Sequence, residues 1–151
     1  MGRVPPRRLD LAADCAGGPA VEFALVLPML LLLLIGMIEF GLTLNNYIML
    51  TEAVRSGARQ FAISRGGTTP YTDAVNQIHG AAAGLNPSGV TITLSVNGTA
   101  CSSDTTCQTA LGAAQGEAAM VVASYPCNLT FLGFDFYNNC TLSSQTTELV
   151  E

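Results

Sequence analysis

The chain has 151 residues, a net charge of −5, only 11% charged residues and no lysine. That length suits one domain at most, and so acidic a chain lacks the clustered cations that nucleic-acid backbones require. Hydrophobic residues reach 49%, and their distribution is far from even.

Residues 1–17 form a short leader in which Arg3, Arg7 and Arg8 stand before the apolar segment, with Asp10 and Asp14 partly offsetting them. No further cation appears until Arg55. By the positive-inside rule this places the N-terminus in the cytoplasm and exports the C-terminal part of the chain. From Gly18 to Leu44 the chain is almost wholly apolar, and Phe23 to Ile38 carries no charge. At about 1.5 Å per residue such a segment, roughly 40 Å long as a helix, crosses a hydrocarbon layer of about 30 Å. The acids Glu22 and Glu39 flank its charge-free centre, where a carboxylate is costly enough to need a partner or a role.

Other readings of this start fit less well. A secretory signal needs a small-x-small site after the apolar run, and Gly41-Leu42-Thr43 is a poor one. Arg7-Arg8 stands too far from an over-apolar run for a twin-arginine signal. Cys15 precedes the apolar segment and follows Asp14, against lipoprotein attachment. An uncleaved signal anchor stays open.

The helical pattern continues past the membrane. Tyr47, Leu50, Val54, Ala58 and Phe61 recur at spacings of three and four, while Asn45, Glu52, Arg55, Arg59 and Gln60 occupy the opposite side. Glu52 and Arg55 are spaced to pair at i,i+3. One helix from Gly18 to about Ser64 is predicted, roughly 70 Å long, the alternative being an anchor followed by a separate helix. Pro28 is expected to kink it or melt a turn.

Gly66-Gly67-Thr68-Thr69-Pro70 ends the helix. Thr72 is expected to cap a second helix to about Ala83, with Val75, Ile78, Ala82 and Leu85 on its apolar face and His79 solvated on its polar edge. Val90 to Val96 alternates apolar and polar without fault, a half-buried strand followed by an Asn97-Gly98 turn. Ala100 to Gly116 reads as a polar loop, and Ala118 to Tyr125 as a central strand, apolar on both faces. Phe131 to Phe136 suits a strand or a packed loop, and Thr141 to Val150 an edge strand. The predicted fold class is α+β: a long N-terminal transmembrane and amphipathic helix carrying a small antiparallel sheet head. The domains expected are leader 1–17, spine 18–64 and exported head 65–151.

Cys101, Cys107, Cys127 and Cys140 all lie in the exported part, where disulfides suit a small domain. Three connectivities are possible. Cys101–Cys107 with Cys127–Cys140 is favoured, because each closes a short polar loop. Their spacing does not match zinc frameworks, so no metal is expected. No HExxH, GxSxG, phosphate loop or dinucleotide fingerprint is present. Neither an enzyme nor a cofactor is expected.

Gly17, followed by four residues and then Glu22-Phe23, resembles the processing site of Tad/Flp-type prepilins. The stretch AVEFALVLPMLLLLLIGMIEFG and the downstream TEAVRSGARQFA resemble the TadE-like family of minor pilins (pseudopilins), over roughly residues 15–65. The resemblance implies a type IV pilin-like spine, cleavage by a prepilin peptidase between Gly17 and Gly18, and assembly through Glu22, Glu39, Arg55 and Arg59. Glu22 would then be the fifth residue of the mature chain, pairing with the new amine of its own or a neighbouring subunit, the alternative being an interfacial acid in contact with headgroups. Glu39 would mark the outer membrane boundary or pair with Arg55 or Arg59 of a neighbour. The small residues within Arg55-Ser56-Gly57-Ala58-Arg59 would admit another helix closely, the alternative being a plain solvated face. Pro19 departs from the small residues expected beside the cut. The implied partners are other pilin subunits, the Tad assembly machinery, the prepilin peptidase and membrane lipid, with no nucleic acid. The implied place is the bacterial inner membrane, single-pass with a periplasmic head, and incorporation into an extracellular pilus for adhesion or secretion. The alternative is a membrane-anchored periplasmic binding or adhesin module that never polymerises.

Overall fold

The computed structural model describes residues 18–127, 129–131, 134–137 and 140–151. The proposed leader, with Gly17 and Cys15, lies outside the described residues. Helix α1 runs from Gly18 to Ile63 and passes through Pro28 without a break in its assignment. A proline costs an interior helix one hydrogen bond and a steric clash, yet here it ends nothing. The chain divides into two compact units between Ile38 and Glu39, so the boundary falls within α1.

The first unit's described residues are helical and apolar. Its side chains from Val21 to Ile38 are largely exposed.

In the second unit, Gly66 adopts φ 79° and stops α1, a backbone conformation that costs glycine little. Helix α2 (Pro70–Ala81) begins on Thr69 with Pro70 in its first turn. The expected cap at Thr72 is therefore three residues late, because proline's missing N–H and preset φ favour the first helical position. Strand β1 (Thr91–Val96) turns at Asn97 (φ 48°) and Gly98 (φ 77°) into β2 (Thr99–Cys101). Two successive positive φ values are what a two-residue hairpin needs to match strand twist. Helix α3 (Asp104–Gly112) comes next, then β3 (Ala118–Pro126), the short β4 (Leu129–Phe131) and β5 (Phe134–Tyr137), and β6 (Thr141–Leu149).

The loop expected over Ala100–Gly116 is thus mostly structured. Its signal was Ser103-x-x-Thr106: the Ser103 hydroxyl accepts from Thr106 N at 3.3 Å, and Thr106 Oγ1 accepts from Ser103 N at 3.1 Å, a reciprocal cap. In the Phe131–Phe136 region, β4 and β5 pair antiparallel through Phe131 and Phe134.

The main sheet is antiparallel in the order β2-β1-β3-β6, which makes β3 central and β6 an edge. Register aligns Leu94 with Val121 and Val121 with Thr146 across one face. The core gathers Leu50, Val54 and Phe61 of α1, Ile78 of α2, Leu111 of α3 and Leu94 and Val121 of the sheet, all fully buried. Tyr47 does not join them, and stays 42% exposed. Val75 is only half-buried, whereas Ala74 takes the inward position on α2.

Cys101 and Cys107 lie at disulfide distance, with Cα atoms 5.1 Å apart, and so do Cys127 and Cys140, at 5.0 Å. The first pair ties β2 to α3. The second joins the residue after β3 to the residue before β6, where Cys127 N donates to Cys140 O at 3.1 Å.

Candidate functional site

The long helix carries most of the residues singled out by the sequence. Its apolar half reaches a mean hydropathy of 2.6 over an eighteen-residue window, with none of that window buried. A globular core would cover such a surface. Left bare and long enough to cross a bilayer, it is the kind of helix that anchors a protein in lipid. Gly18 opens α1, and Glu22 stands one turn further on, exposed among Val21, Phe23 and Leu25. Residues four apart share a helix face, so Glu22 and Gly18 project to the same side.

Glu39 is half-buried, and its carbonyl accepts from Thr43 Oγ1 at 3.0 Å. Exposed apolar side chains continue beyond it through Phe40, Leu42, Leu44 and Ile48.

Further along α1 the two faces separate. Gly57 and Ala58 are buried, and a Cβ on Gly57 would overlap the Ile78 side chain and come within 3.4 Å of Ala74 O. The close helical approach that these small residues allow is made by α2 of the same chain. Gln77 Nε2 secures that approach by donating to Ser56 Oγ at 2.8 Å. Arg55 and Arg59, one turn apart, are left exposed on the outer side. They line a groove of about 640 Å³ whose α1 wall also holds Ser56 and Ile63 and whose other wall is Glu148 and Leu149. Glu151 N donates to Ala62 O at 3.3 Å where the chain leaving β6 meets the helix. Among the described residues no carboxylate lies within 4.0 Å of either guanidinium, so the Glu52–Arg55 pair suggested by spacing does not form.

Two polar contacts brace α3 against α2 and the turn before it. The Asp104 carboxylate accepts from Thr72 N at 2.9 Å and Thr72 Oγ1 at 2.7 Å, and Gln108 Nε2 donates to Gly67 O at 3.0 Å. The hydrogen bond from the Thr72 backbone, and then that from its hydroxyl, hold Asp104 below the usual carboxylate range. His79 is less solvated than its place on the polar edge suggested. It is half-buried, and its Nδ1 is buried with no hydrogen-bond partner among the described residues. No group of three His, Cys, Asp or Glu poised to hold a metal ion occurs among the described residues.

These features define a class: an α+β protein whose N-terminal helix can anchor it in a membrane and whose disulfide-paired head packs on the rest of that helix. Residues 17–59 match the family model described as TadE-like protein, so this stretch is similar to that family. A TadE-like domain points to a protein associated with the Tad pilus. No curated protein and no solved structure matches the chain.

Proposed function

We propose that this chain is a minor pilin or pseudopilin, a structural and non-catalytic component in the assembly of a Tad/Flp-type pilus. The observation that carries the reading is the bare apolar half of α1 lying inside the TadE-like match. In this reading the N-terminus is cytoplasmic and the head periplasmic, and a prepilin peptidase cuts between Gly17 and Gly18. The new amine and Glu22 then sit one turn apart on the same helix face. In lipid a carboxylate and an ammonium are each costly alone, so they pair within one subunit or between neighbours.

The test is intact mass of the membrane-extracted chain, with and without the cognate peptidase. Loss of residues 1–17 that depends on the peptidase is expected, with failure of pilus assembly for Glu22→Ala. A chain that keeps its leader while the whole system is expressed would overturn the reading. A second reading is a membrane-anchored periplasmic binding or adhesin module that does not polymerise. It is favoured by the extent of the family match, which ends at residue 59 and leaves the sheet outside it. An uncut leader together with a soluble ligand for the head would select that alternative.

A further inference from the structure

We infer that the groove between α1 and the end of β6 is the contact face of a two-fold dimer of this chain. The walls of the groove differ in sign. The α1 wall presents Arg55 and Arg59 with Glu52 at its start, a net positive wall, and the β6 wall presents Glu148, with Glu151 beyond it. Neither guanidinium is neutralised by a carboxylate within 4.0 Å among the described residues. Beyond Ile48, and leaving aside residues 128–139, the large hydrophobic side chains left exposed are Ile63, at 51%, and Leu149, at 65%. Both line this one groove. Exposed aliphatics flanked by unpaired charges of opposite sign are the makings of an interface core with a polar rim.

The groove is self-complementary by its geometry. The helical wall, from Glu52 to Ile63, extends about 16 Å along α1 at 1.5 Å per residue. A two-fold axis parallel to the groove sets each copy's arginine wall against the acidic wall of the other. It also brings Ile63 and Leu149 together across the axis, as an isologous contact requires. The same axis leaves the two α1 helices parallel and pointing the same way. This parallel arrangement rests on the membrane-anchored reading, since two copies held in one bilayer by the same helix must be parallel. A groove this small makes a modest interface in solution, and confinement to a membrane raises the effective concentration that sustains it.

Charge reversal in trans tests the pairing. The full chain is made with two different tags, extracted in mild detergent, and one tag is captured while the other is counted. Arg59→Glu alone, and Glu148→Arg alone, each put like charges together at both contacts of a homodimer. Each is expected to lower co-capture at least about tenfold. Mixing the Arg59→Glu chain with the Glu148→Arg chain restores opposite charges at both contacts and is expected to restore co-capture. An ion pair within one chain cannot be rescued in this way. Wild-type co-capture by either single variant, or no recovery in the mixture, overturns the proposal.

Ile63→Cys mixed with Leu149→Cys, the two positions that face each other across the axis, gives an independent readout that leaves the charges intact. Mild oxidation is expected to link the two chains as a dimer, while Ile63→Cys mixed with Thr91→Cys on the exposed part of β1 stays monomeric. Equal linking in the two mixtures overturns the proposal. Membrane retention is measured in parallel, so a chain that stays anchored but fails to associate separates this inference from the anchored reading.

Discussion

Gly57→Ala probes the contact on which the head's attachment to α1 depends. The new methyl would overlap the Ile78 side chain, lie 2.7 Å from its Cδ1 and 3.4 Å from Ala74 O. Ile78 is fully buried, so its side chain has no open space into which to swing. Overpacking of this kind costs about 1–3 kcal/mol, and this overlap belongs near the top of that range. Alanine in place of glycine returns about 1 kcal/mol of helix propensity. The net destabilisation expected is therefore about 1–2 kcal/mol, or a melting temperature about 5–10 °C lower for a domain near 100 residues. Gly80→Ala is the matched control: it lies on α2 with nothing within 4 Å of the added methyl. There the propensity gain stands alone, and a rise of a few degrees is expected, for about 0.5–1 kcal/mol. Thermal unfolding of the full chain in detergent, monitored by tyrosine near-ultraviolet circular dichroism, measures both. A melting temperature for Gly57→Ala equal to or above wild type would refute the reasoning, because α2 would then be giving way at no cost.

Truncating Phe61, fully buried in the core, to alanine is expected to cost about 3–5 kcal/mol and is read by the same melt; less than 1 kcal/mol would mean that the core had closed over the gap. Replacing Cys127 and Cys140 by serine releases a pair separated by 13 residues, at an expected cost of about 3 kcal/mol, and the Cys101–Cys107 pair, separated by 6, about 2 kcal/mol. An unchanged melt on reduction would contradict this. The depressed Asp104 carboxylate contributes stability that is fully present above the ordinary aspartate range and is lost as the pH falls through its lower folded value. Asp104→Asn should flatten that acid limb of the stability–pH curve, and an acid limb identical to wild type would remove Asp104 from it.

Periodicity made the long helix and the first strand legible in the sequence. The helix to Ile63 and the alternating β1 fall where patterns of three-to-four and two predict them, the central β3 where a run apolar on both faces does, and the edge β6 where length and threonine content do. Those patterns are local, and one buried face is enough to write them. The cysteine pairs at disulfide distance are the ones that close the shortest loops. Asn97-Gly98 announced a turn, but the three-residue strand after it is too short to carry a period of its own. Helix α3 was missed because its interior is Thr, Gln, Ala and Gly, with only Cys107 and Leu111 buried; its capping box was the signal to use.

Tertiary structure alone decided which face each small residue serves. Gly57 and Ala58 read in sequence as an opening for a partner helix, but α2 of the same chain fills that space. Likewise the sequence could mark Arg55 and Arg59 as neighbours one turn apart, yet nothing in it places Glu148 and Leu149 across from them. These residues lie nearly the whole length of the head apart in the chain, and strand β6 carries no signal for the helix it comes to face. Local pattern records which side of an element is buried; the partner it is buried against is chosen only when all the elements pack together.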